Sequence, residues 1–313
     1  MSNPCAESAR LSNGAEGAGV RCSRAANATD KPFADKPLTI GQCPDQYSLT
    51  MDIASNNRSD AELSCERDGS VAVLRLNRPA ARNALSSGLV EQLSATLTAL
   101  DDNDEVRVAV LAAAPPGFCA GSDLKELAGM SVSEMVRHEA RTGHAVRAIQ
   151  QLGIPVIAAV EGFALGGGFL LATGCDVVVT ADNARWHLPE VQLGWVPPWG
   201  LQTLIARVGP VTARRLAWGD QPLTGRDLYQ LGAVDDLAEP GQALQRACQL
   251  AARLAALPPR AVASTKRALA DATVGSAEVL DVRTTWMFGE DCMSETAQAS
   301  LTTFARKTLK ERQ

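Results

Sequence analysis

Short runs of apolar residues recur through the middle of this chain, and segments with helical spacing lie between them. The runs at 71–76, 106–112, 155–160 and 176–180 have the length and apolar content of buried strands. Leucines spaced along 85–100 predict an amphipathic helix after the first run. Parallel strands connected by helices are covered on both faces. The alternation therefore predicts an α/β fold, with a mostly parallel sheet and helices on both of its faces.

Three parts are expected along the 313 residues. Residues 1–65 are rich in Ser, Ala, Asn, Asp and Gly and show no periodicity, which predicts a flexible N-terminal extension. Residues 66–255 carry the alternating pattern and form the predicted core domain. Residues 256–313 are predicted to form a C-terminal helical part, since the pattern is almost entirely helical after Pro198. The helical stretches are 199–218, 224–231, 241–256, 259–273 and 276–310.

Composition argues against several classes of protein. A net charge of −5 and a pI near 5.4 argue against a broad nucleic-acid-binding face. No segment approaches the ~20 apolar residues of a membrane span, and the N-terminus lacks the apolar run of a signal peptide. None of the eight cysteines lies in a C-x-x-C pair, so neither a zinc site nor a redox motif is indicated. These features predict a soluble cytoplasmic protein without a metal site and without a nucleic-acid or membrane partner.

The segment GFALGGGFLLATGCD, residues 162–176, places three consecutive glycines before an apolar, helix-like run. Glycine tolerates positive φ and lets a ligand approach the backbone, while the first N–H groups of a helix have no partner inside it. The segment lacks the Lys and Ser/Thr of a P-loop and does not fit G-x-G-x-x-G. Taken alone, it is equally compatible with a tight turn that serves packing and with a backbone ligand site.

A second glycine-containing turn, GFCAGSDLKE at 117–126, also follows a predicted strand and opens a helix. Two such turns can each direct one backbone N–H group at the same oxygen atom. That arrangement is an oxyanion hole, which stabilises negative charge as it develops on a carbonyl or enolate oxygen. Together the two turns favour an active site over a purely structural role.

Five segments, in order, resemble those of the crotonase family, also called the enoyl-CoA hydratase/isomerase superfamily. They are LNRPAARNALS (76–86), GFCAGSDLKEL (117–127), PVIAAVEGFALGGGFLLATGCD (155–176), ARWHLPEVQLGWVPPWG (184–200) and RRLAWGDQPLTGRDLYQLGAVDDL (214–237). The resemblance extends from about residue 66 to the C-terminus. It implies a crotonase (ClpP-like) fold whose C-terminal helical part forms trimers, so a homotrimer or hexamer is expected. It also implies an acyl-CoA substrate of the kind used in fatty acid metabolism, with coenzyme A as part of the thioester and no separate cofactor.

The resemblance also assigns the catalytic residues. The oxyanion hole would come from the backbone N–H groups of Ser122 and Gly167, and Glu190 of the later Pro-Glu pair would be the acid/base. Hydratases of this family usually carry another glutamate three residues after the middle glycine, where this chain has Leu170. The resemblance therefore predicts a single-glutamate site, in which Glu190 manages every proton transfer.

Substrate-binding residues are assigned by the same resemblance. Arg82 and Lys125 would meet the phosphates of coenzyme A, and Lys307 would reach the nucleotide in a neighbouring subunit. A solvated surface cation is the alternative interpretation for each of the three. The remaining candidates are Ala84, Ala120, Leu170 and Trp195. Tryptophans in 186–199 are compatible with a bulky or aromatic acyl pocket and equally with core packing.

The resemblance implies a lyase that hydrates an enoyl-CoA, with retro-aldol cleavage of a bulky or aromatic acyl group as a further step. Hydroxycinnamoyl-CoA hydratase-lyases share the single Pro-Glu glutamate and the GGGF turn. Isomerisation of a Δ3 to a Δ2 double bond also needs one base and is the first alternative, followed by other single-acid reactions such as decarboxylation. A non-catalytic acyl-CoA-binding homologue is the alternative from another class.

Overall fold

The computed structural model describes residues 61–311, with side chains described as far as Arg306. Almost all of the predicted N-terminal extension lies outside the described residues. Its last predicted residues do not: the first strand, β1, spans Leu63–Asp68, so the prediction that the extension reaches residue 65 is wrong. Residues 63–65 belong to the sheet because β1 pairs with the following strand along its whole length.

Six strands form the main sheet. They are β1 (Leu63–Asp68), β2 (Val71–Leu76), β3 (Val108–Ala113), β4 (Val156–Val160), β6 (Val177–Ala181) and β9 (Asp236–Ala238), in the order β1-β2-β3-β4-β6-β9. Strand β1 runs antiparallel to β2, and every other neighbouring pair is parallel. The mostly parallel sheet expected from the apolar runs is confirmed.

A second, three-stranded sheet positions the glycine turn. It contains β5 (Phe163–Leu165), β7 (Arg185–His187) and β8 (Leu223–Thr224), with β5 parallel to β7 and β7 antiparallel to β8. The Gly166 N–H donates to the His187 carbonyl over 2.8 Å. Because β5 and β7 are parallel neighbours, the residues that follow them, the glycine turn and the Pro-Glu pair, lie side by side. These short strands were not predicted from the sequence.

Eleven helices lie within residues 61–311. They are α1 (Ser87–Asp101), α2 (Leu124–Leu127), α3 (Val132–Ile149), α4 (Gly167–Gly174), α5 (Glu190–Leu193), α6 (Leu201–Trp218), α7 (Gly225–Gln230), α8 (Ala243–Ala255), α9 (Pro259–Val274), α10 (Ala277–Asp291) and α11 (Glu295–Glu311). The helix predicted at 85–100 begins at Ser87, since the Ser86 hydroxyl accepts a hydrogen bond from the Leu89 N–H and caps it.

Helices cover both faces of the main sheet, as predicted. On one face, α1, α3 and α4 pack against alternate strand residues such as Leu74 and Leu111. On the other face, α8 packs against Val73 and Val110 through Ala243, Ala247 and Ala251. These alanines are four residues apart, so they form one narrow helix face that lets α8 approach the strands closely.

Helix α10, in the C-terminal part, forms hydrogen bonds with the loop between α5 and α6. Asp281 on α10 forms an ion pair with Arg147 on α3 and accepts from the Gly200 N–H over 3.0 Å. The hydroxyls of Thr284 and Thr285 donate to the Pro198 carbonyl over 2.8 and 2.9 Å. The loop at 194–200 is therefore held from outside by side chains of the C-terminal part.

Candidate active site

The three glycines are required by close contacts. Gly166 has φ 54°, and a Cβ placed on it would lie 3.0 Å from the Glu190 Oε1. A Cβ on Gly168 would lie 2.3 Å from the Cys119 carbonyl oxygen, far inside van der Waals contact. The glycine run thus lets two other segments, the Pro-Glu pair and the second glycine turn, approach the start of α4.

The two turns bring two backbone amides together. Gly121 has φ 94°, and a Cβ placed on it would lie 3.1 Å from the Gly167 nitrogen. A Cβ placed on Gly167 would lie 3.5 Å from the Ser122 nitrogen. Within residues 61–311 neither the Ser122 nor the Gly167 N–H donates to a protein acceptor. Two adjacent free donors, one of them at the N-terminus of α4, lie close enough to bind a single oxygen atom, as an oxyanion hole requires.

A buried charge network fixes the Ser122 turn. Asp123 caps α2 by accepting from the Lys125 and Glu126 N–H groups, and it pairs with Arg78 over 2.9 Å. Arg78 also pairs with Glu62 over 2.6 Å. Arg78 and Asp123 were not predicted as site residues, although both lie within segments that resemble the family.

Asn83 joins two loops beside this turn. It is fully buried with φ 55°, and its Nδ2 donates to the carbonyls of Ala114 and Gly117 over 2.6 and 2.8 Å. Its Oδ1 accepts from the Arg78 N–H. Asn is one of the few residues that tolerate positive φ, and its amide satisfies backbone groups that would otherwise be buried unpaired. In the sequence, the only indication of this role was the short amide side chain of Asn83 within the segment RNALS.

Glu190 is the first residue of α5 and is only 6% exposed. Its Oε2 is buried without a hydrogen-bond partner among the described residues. Burial raises the pKa of the Glu190 carboxyl to about 8, a hydrogen bond from its own backbone opposes the rise, and the charge of Glu139 adds to it. A carboxyl that is protonated at neutral pH and faces a cavity is suited to proton transfer.

This pKa has a consequence for stability. The unfolded chain ionises Glu190 near its ordinary value of 4.5, whereas the folded chain keeps the proton up to about pH 8. Folding therefore takes up a proton between these values, and the contribution of Glu190 to stability falls as pH rises through that window. We expect Glu190→Gln to gain thermal stability relative to wild type between pH 5 and pH 8, as measured by melting temperatures. A difference that stays constant with pH would contradict the raised pKa.

A cavity of about 50 Å³ connects these groups. Six residues singled out in the sequence line it: Ala120, Ser122, Gly167, Leu170, Glu190 and Trp195. Phe288 of α10 completes the wall and packs edge-to-face on Trp195 with ring centroids 6.0 Å apart. The cavity therefore joins the oxyanion amides, a carboxyl and an apolar wall, the parts needed for proton transfer at a carbon next to a carbonyl.

Three other predicted residues do not line the cavity. Arg82 is exposed, with its guanidinium carbon 4.5 Å from the centre of the Phe163 ring. Ala84 is buried and Lys125 is exposed on α2. Lys307 lies in α11, but its side chain is outside the described residues.

The structure places the tryptophans of 186–199 in different surroundings. Trp186 is fully buried in the core, where its ring packs edge-to-face on Phe169 and its Nε1 donates to the Thr180 hydroxyl. Trp195 and Trp199 line the cavity. Beside them, the His187 Nε2 contacts the Gly219 carbonyl over 2.9 Å.

Glu139 also lines the cavity, although no sequence motif indicated it. It lies on α3, is 2% exposed and lines the same cavity as Glu190. Its Oε2 accepts from the Trp199 Nε1 over 2.7 Å. The available signal was its register: Glu139 lies four residues after the buried Met135, so an acid occupies the apolar face of an amphipathic helix. The cavity is therefore lined by a second carboxyl besides Glu190, which the motifs of the sequence did not indicate.

Nearly all of the described part of the chain matches a known protein family. The family model described as "Enoyl-CoA hydratase/isomerase" matches residues 66–311. The chain belongs to the enoyl-CoA hydratase/isomerase family. The match spans the oxyanion turns, Glu190 and the C-terminal helices, and it begins within β1.

Relatives with names and solved structures agree with this family. The 2,3-dehydroadipyl-CoA hydratase of Escherichia coli K12 is 39% identical over 210 residues, covering 67% of this chain and 82% of the relative. The short-chain-enoyl-CoA hydratase of Clostridium acetobutylicum is 32% identical, covering 77% and 94%. An enoyl-CoA hydratase structure from Mycobacterium avium superposes with a TM-score of 0.69 at 30% identity, covering 79% of this chain and 97% of that one. The crotonase fold is thereby confirmed.

No helix in residues 61–311 is long and apolar enough to cross a bilayer. The same part of the chain contains no group of three or more His, Cys, Asp or Glu side chains that could hold a metal ion.

Proposed function

We propose that this protein adds water across the double bond of an enoyl-CoA thioester. The observation that carries the proposal is the buried carboxyl of Glu190, whose Oε2 has no partner among the described residues and which shares a cavity with the free amides of Ser122 and Gly167. Membership of the enoyl-CoA hydratase/isomerase family supports it. The names of the relatives, among them a short-chain-enoyl-CoA hydratase, support hydration in particular.

The oxyanion amides and Glu190 divide the work in this proposal. The two N–H groups bind the thioester oxygen and stabilise the enolate that forms when a water oxygen bonds to Cβ. Loss of one such donor typically costs ~2.7–4 kcal/mol of transition-state stabilisation. Glu190 holds its proton at neutral pH because burial raises its pKa, and it delivers that proton to Cα. In the reverse direction the same carboxylate removes it.

Recognition of the coenzyme A phosphates is assigned to cations outside the cavity. Arg82 is an exposed cation on the loop after β2 and Lys125 is an exposed cation on α2, and we propose that they bind phosphates. Ala84 is buried and Ala120 lines the cavity, and both are assigned to the thioester end of the coenzyme A portion of the substrate. Lys307 is proposed to contact the nucleotide across a subunit interface.

The acyl group is proposed to be short. A cavity of about 50 Å³ exceeds the ~30 Å³ share of one liquid water, yet it is far from the 300–1,000 Å³ of drug-sized sites. An aromatic acyl group is the second candidate, because Trp195 and Phe288 present ring surfaces that favour edge-to-face packing. Hydratase-lyase cleavage would accompany that second candidate.

A substrate panel tests the proposal. We expect crotonyl-CoA to be hydrated with a higher kcat/KM than cinnamoyl-CoA, measured by loss of the conjugated thioester absorbance and by mass spectrometry of the product. Preference for cinnamoyl-CoA, with release of an aldehyde from a hydroxylated analogue, would support the hydratase-lyase instead. Conversion of a β,γ-enoyl-CoA without hydration would identify an isomerase. Binding of CoA without turnover would identify a non-catalytic homologue.

Self-association through the C-terminal helices is also proposed. Apolar side chains project from α9 and α10, including Leu269, Val279, Val282 and the 70% exposed Trp286. We expect light scattering to give the mass of three or six 33.0 kDa chains. Trp286→Glu is expected to lower that mass, whereas Val211→Glu, an exposed site on α6, is the control. A monomeric wild type would contradict this assignment.

A further inference from the structure

Glu139 occupies a position that packing alone does not explain. Its carboxyl is buried, it accepts a hydrogen bond from the Trp199 Nε1, and no ion pair involves it among residues 61–311. Burial of an acid without a cation is unfavourable, and an apolar or amide side chain of similar size would fill the same space at lower free energy. An acid kept in such a place points to chemistry.

The same indole joins Glu139 to the oxyanion hole. The Nε1 of Trp199 donates to Glu139, and its Cζ2 lies 3.2 Å from the position that a Cβ on Gly167 would occupy. Because Nε1 and Cζ2 belong to one ring system, a single indole contacts both the carboxyl of Glu139 and the turn that contains Gly167. An indole N–H is a donor only, so it fixes one oxygen of Glu139 as an acceptor.

Glu139 and Glu190 reach the cavity from separate elements. Glu139 comes from α3, Glu190 begins α5, and Leu170 of α4 lines the cavity with them. Their carboxyls are electrostatically coupled, since the charge of Glu139 helps to raise the pKa of Glu190. The cavity therefore contains two carboxyls in different environments, which is the usual arrangement for separate acid and base roles.

We propose that Glu139 is the catalytic base that accepts the proton of the attacking water, while Glu190 is the acid that protonates Cα. The inference rests on the proposed hydration of an enoyl-CoA and assigns a second carboxylate to that reaction. In this proposal, Glu139 on α3 performs the role of the family's other glutamate, whose position on α4 is occupied here by Leu170.

The step balances in atoms and electrons. The water oxygen forms a bond to Cβ as its proton passes to the Glu139 carboxylate. The π electrons of the double bond move to the thioester oxygen, where the Ser122 and Gly167 amides stabilise the enolate. The enolate then re-forms the carbonyl and takes the proton of Glu190 at Cα. Transfer of one proton from Glu139 to Glu190 restores both groups for the next turnover.

The test separates water addition from proton exchange at Cα. Exchange of the Cα hydrogens of butyryl-CoA in D2O needs the oxyanion hole and a base at Cα, but no attack by water. We expect Glu139→Gln to lower kcat for crotonyl-CoA hydration by roughly 10²–10⁴-fold. Exchange by the same variant, followed by NMR at about pH 9 where Glu190 is largely ionised, should stay within a few-fold of wild type.

Two further variants complete the experiment. Glu190→Gln is expected to lose both activities, and Arg141→Gln, an exposed site on α3, is expected to lose neither. Circular dichroism and melting temperatures establish that each variant is folded. Hydration by folded Glu139→Gln at the wild-type rate would overturn the inference. Equal losses of hydration and exchange would also overturn it, because they would show that Glu139 only shapes the site.

The outcome distinguishes the inference from the proposed function. Hydration by wild type together with unimpaired hydration by Glu139→Gln contradicts the role of Glu139 alone. A wild-type protein that hydrates no enoyl-CoA contradicts the proposed function and, with it, the base assigned here.

Discussion

Glu190→Gln is expected to lower kcat for enoyl-CoA hydration by roughly 10²–10⁴-fold, the usual contribution of a general acid or base. The substitution keeps the size of the side chain and removes its transferable proton. Glu190 is buried, and its Oε2 has no protein partner within residues 61–311, so structural damage from the change should be small. Initial rates with crotonyl-CoA provide the measurement.

Coenzyme A affinity is the control for this variant. Because the proposed phosphate contacts lie outside the cavity, the Kd for CoA measured by calorimetry should remain within a few-fold of wild type. A folded Glu190→Gln protein that keeps most of its kcat would show that another group transfers the Cα proton.

Gly166→Ala is expected to have the second large effect. Gly166 has φ 54°, and a methyl group there would lie 3.0 Å from the Glu190 Oε1. The added atom should displace the acidic carboxyl by a few tenths of an ångström. Because misplacement of a catalytic group by 1 Å can cost about 10²-fold in rate, we expect kcat to fall by roughly tenfold. Backbone strain at positive φ should also lower stability by about 1–2 kcal/mol. Steady-state kinetics and chemical denaturation measure the two effects separately.

Gly69→Ala is the matched control. Gly69 has a similar φ of 56°, but a Cβ placed on it meets no atom within 4 Å. It should lose stability and keep its kcat. Similar loss of kcat in both variants would mean that strain, rather than contact with Glu190, explains the Gly166 result.

The sequence was informative where one short segment contains the whole signal. The apolar runs predicted β2, β3, β4 and β6 because a strand buried on both faces needs apolar residues throughout. The two glycine turns predicted adjacent amides, since close backbone approach excludes side chains. Glu190 followed from its motif, and the structure places it in the cavity with those amides.

Features that depend on tertiary contact were not predictable in the same way. Strands β5 and β7 have three residues each, too few for a periodic pattern, and they exist because they pair with each other. Trp186 lies four residues before Glu190 and Trp199 lies nine residues after it, yet only the fold sends one ring to the core and the other to the cavity. Glu139 is far from every motif, so its meeting with Glu190 depends on how α3 packs.

Helix α10 bears on how this chain can be divided. Asp281, Thr284 and Thr285 hold the loop that carries two cavity tryptophans, and Phe288 is itself part of the cavity wall. The C-terminal helices therefore cannot be treated as a detachable module for assembly. A protein shortened after α9 would retain Glu190 and both amides, but solvent would enter the chamber from the side that Phe288 closes. The shape of the cavity thus depends on the last helices, which complete a site that the earlier segments begin.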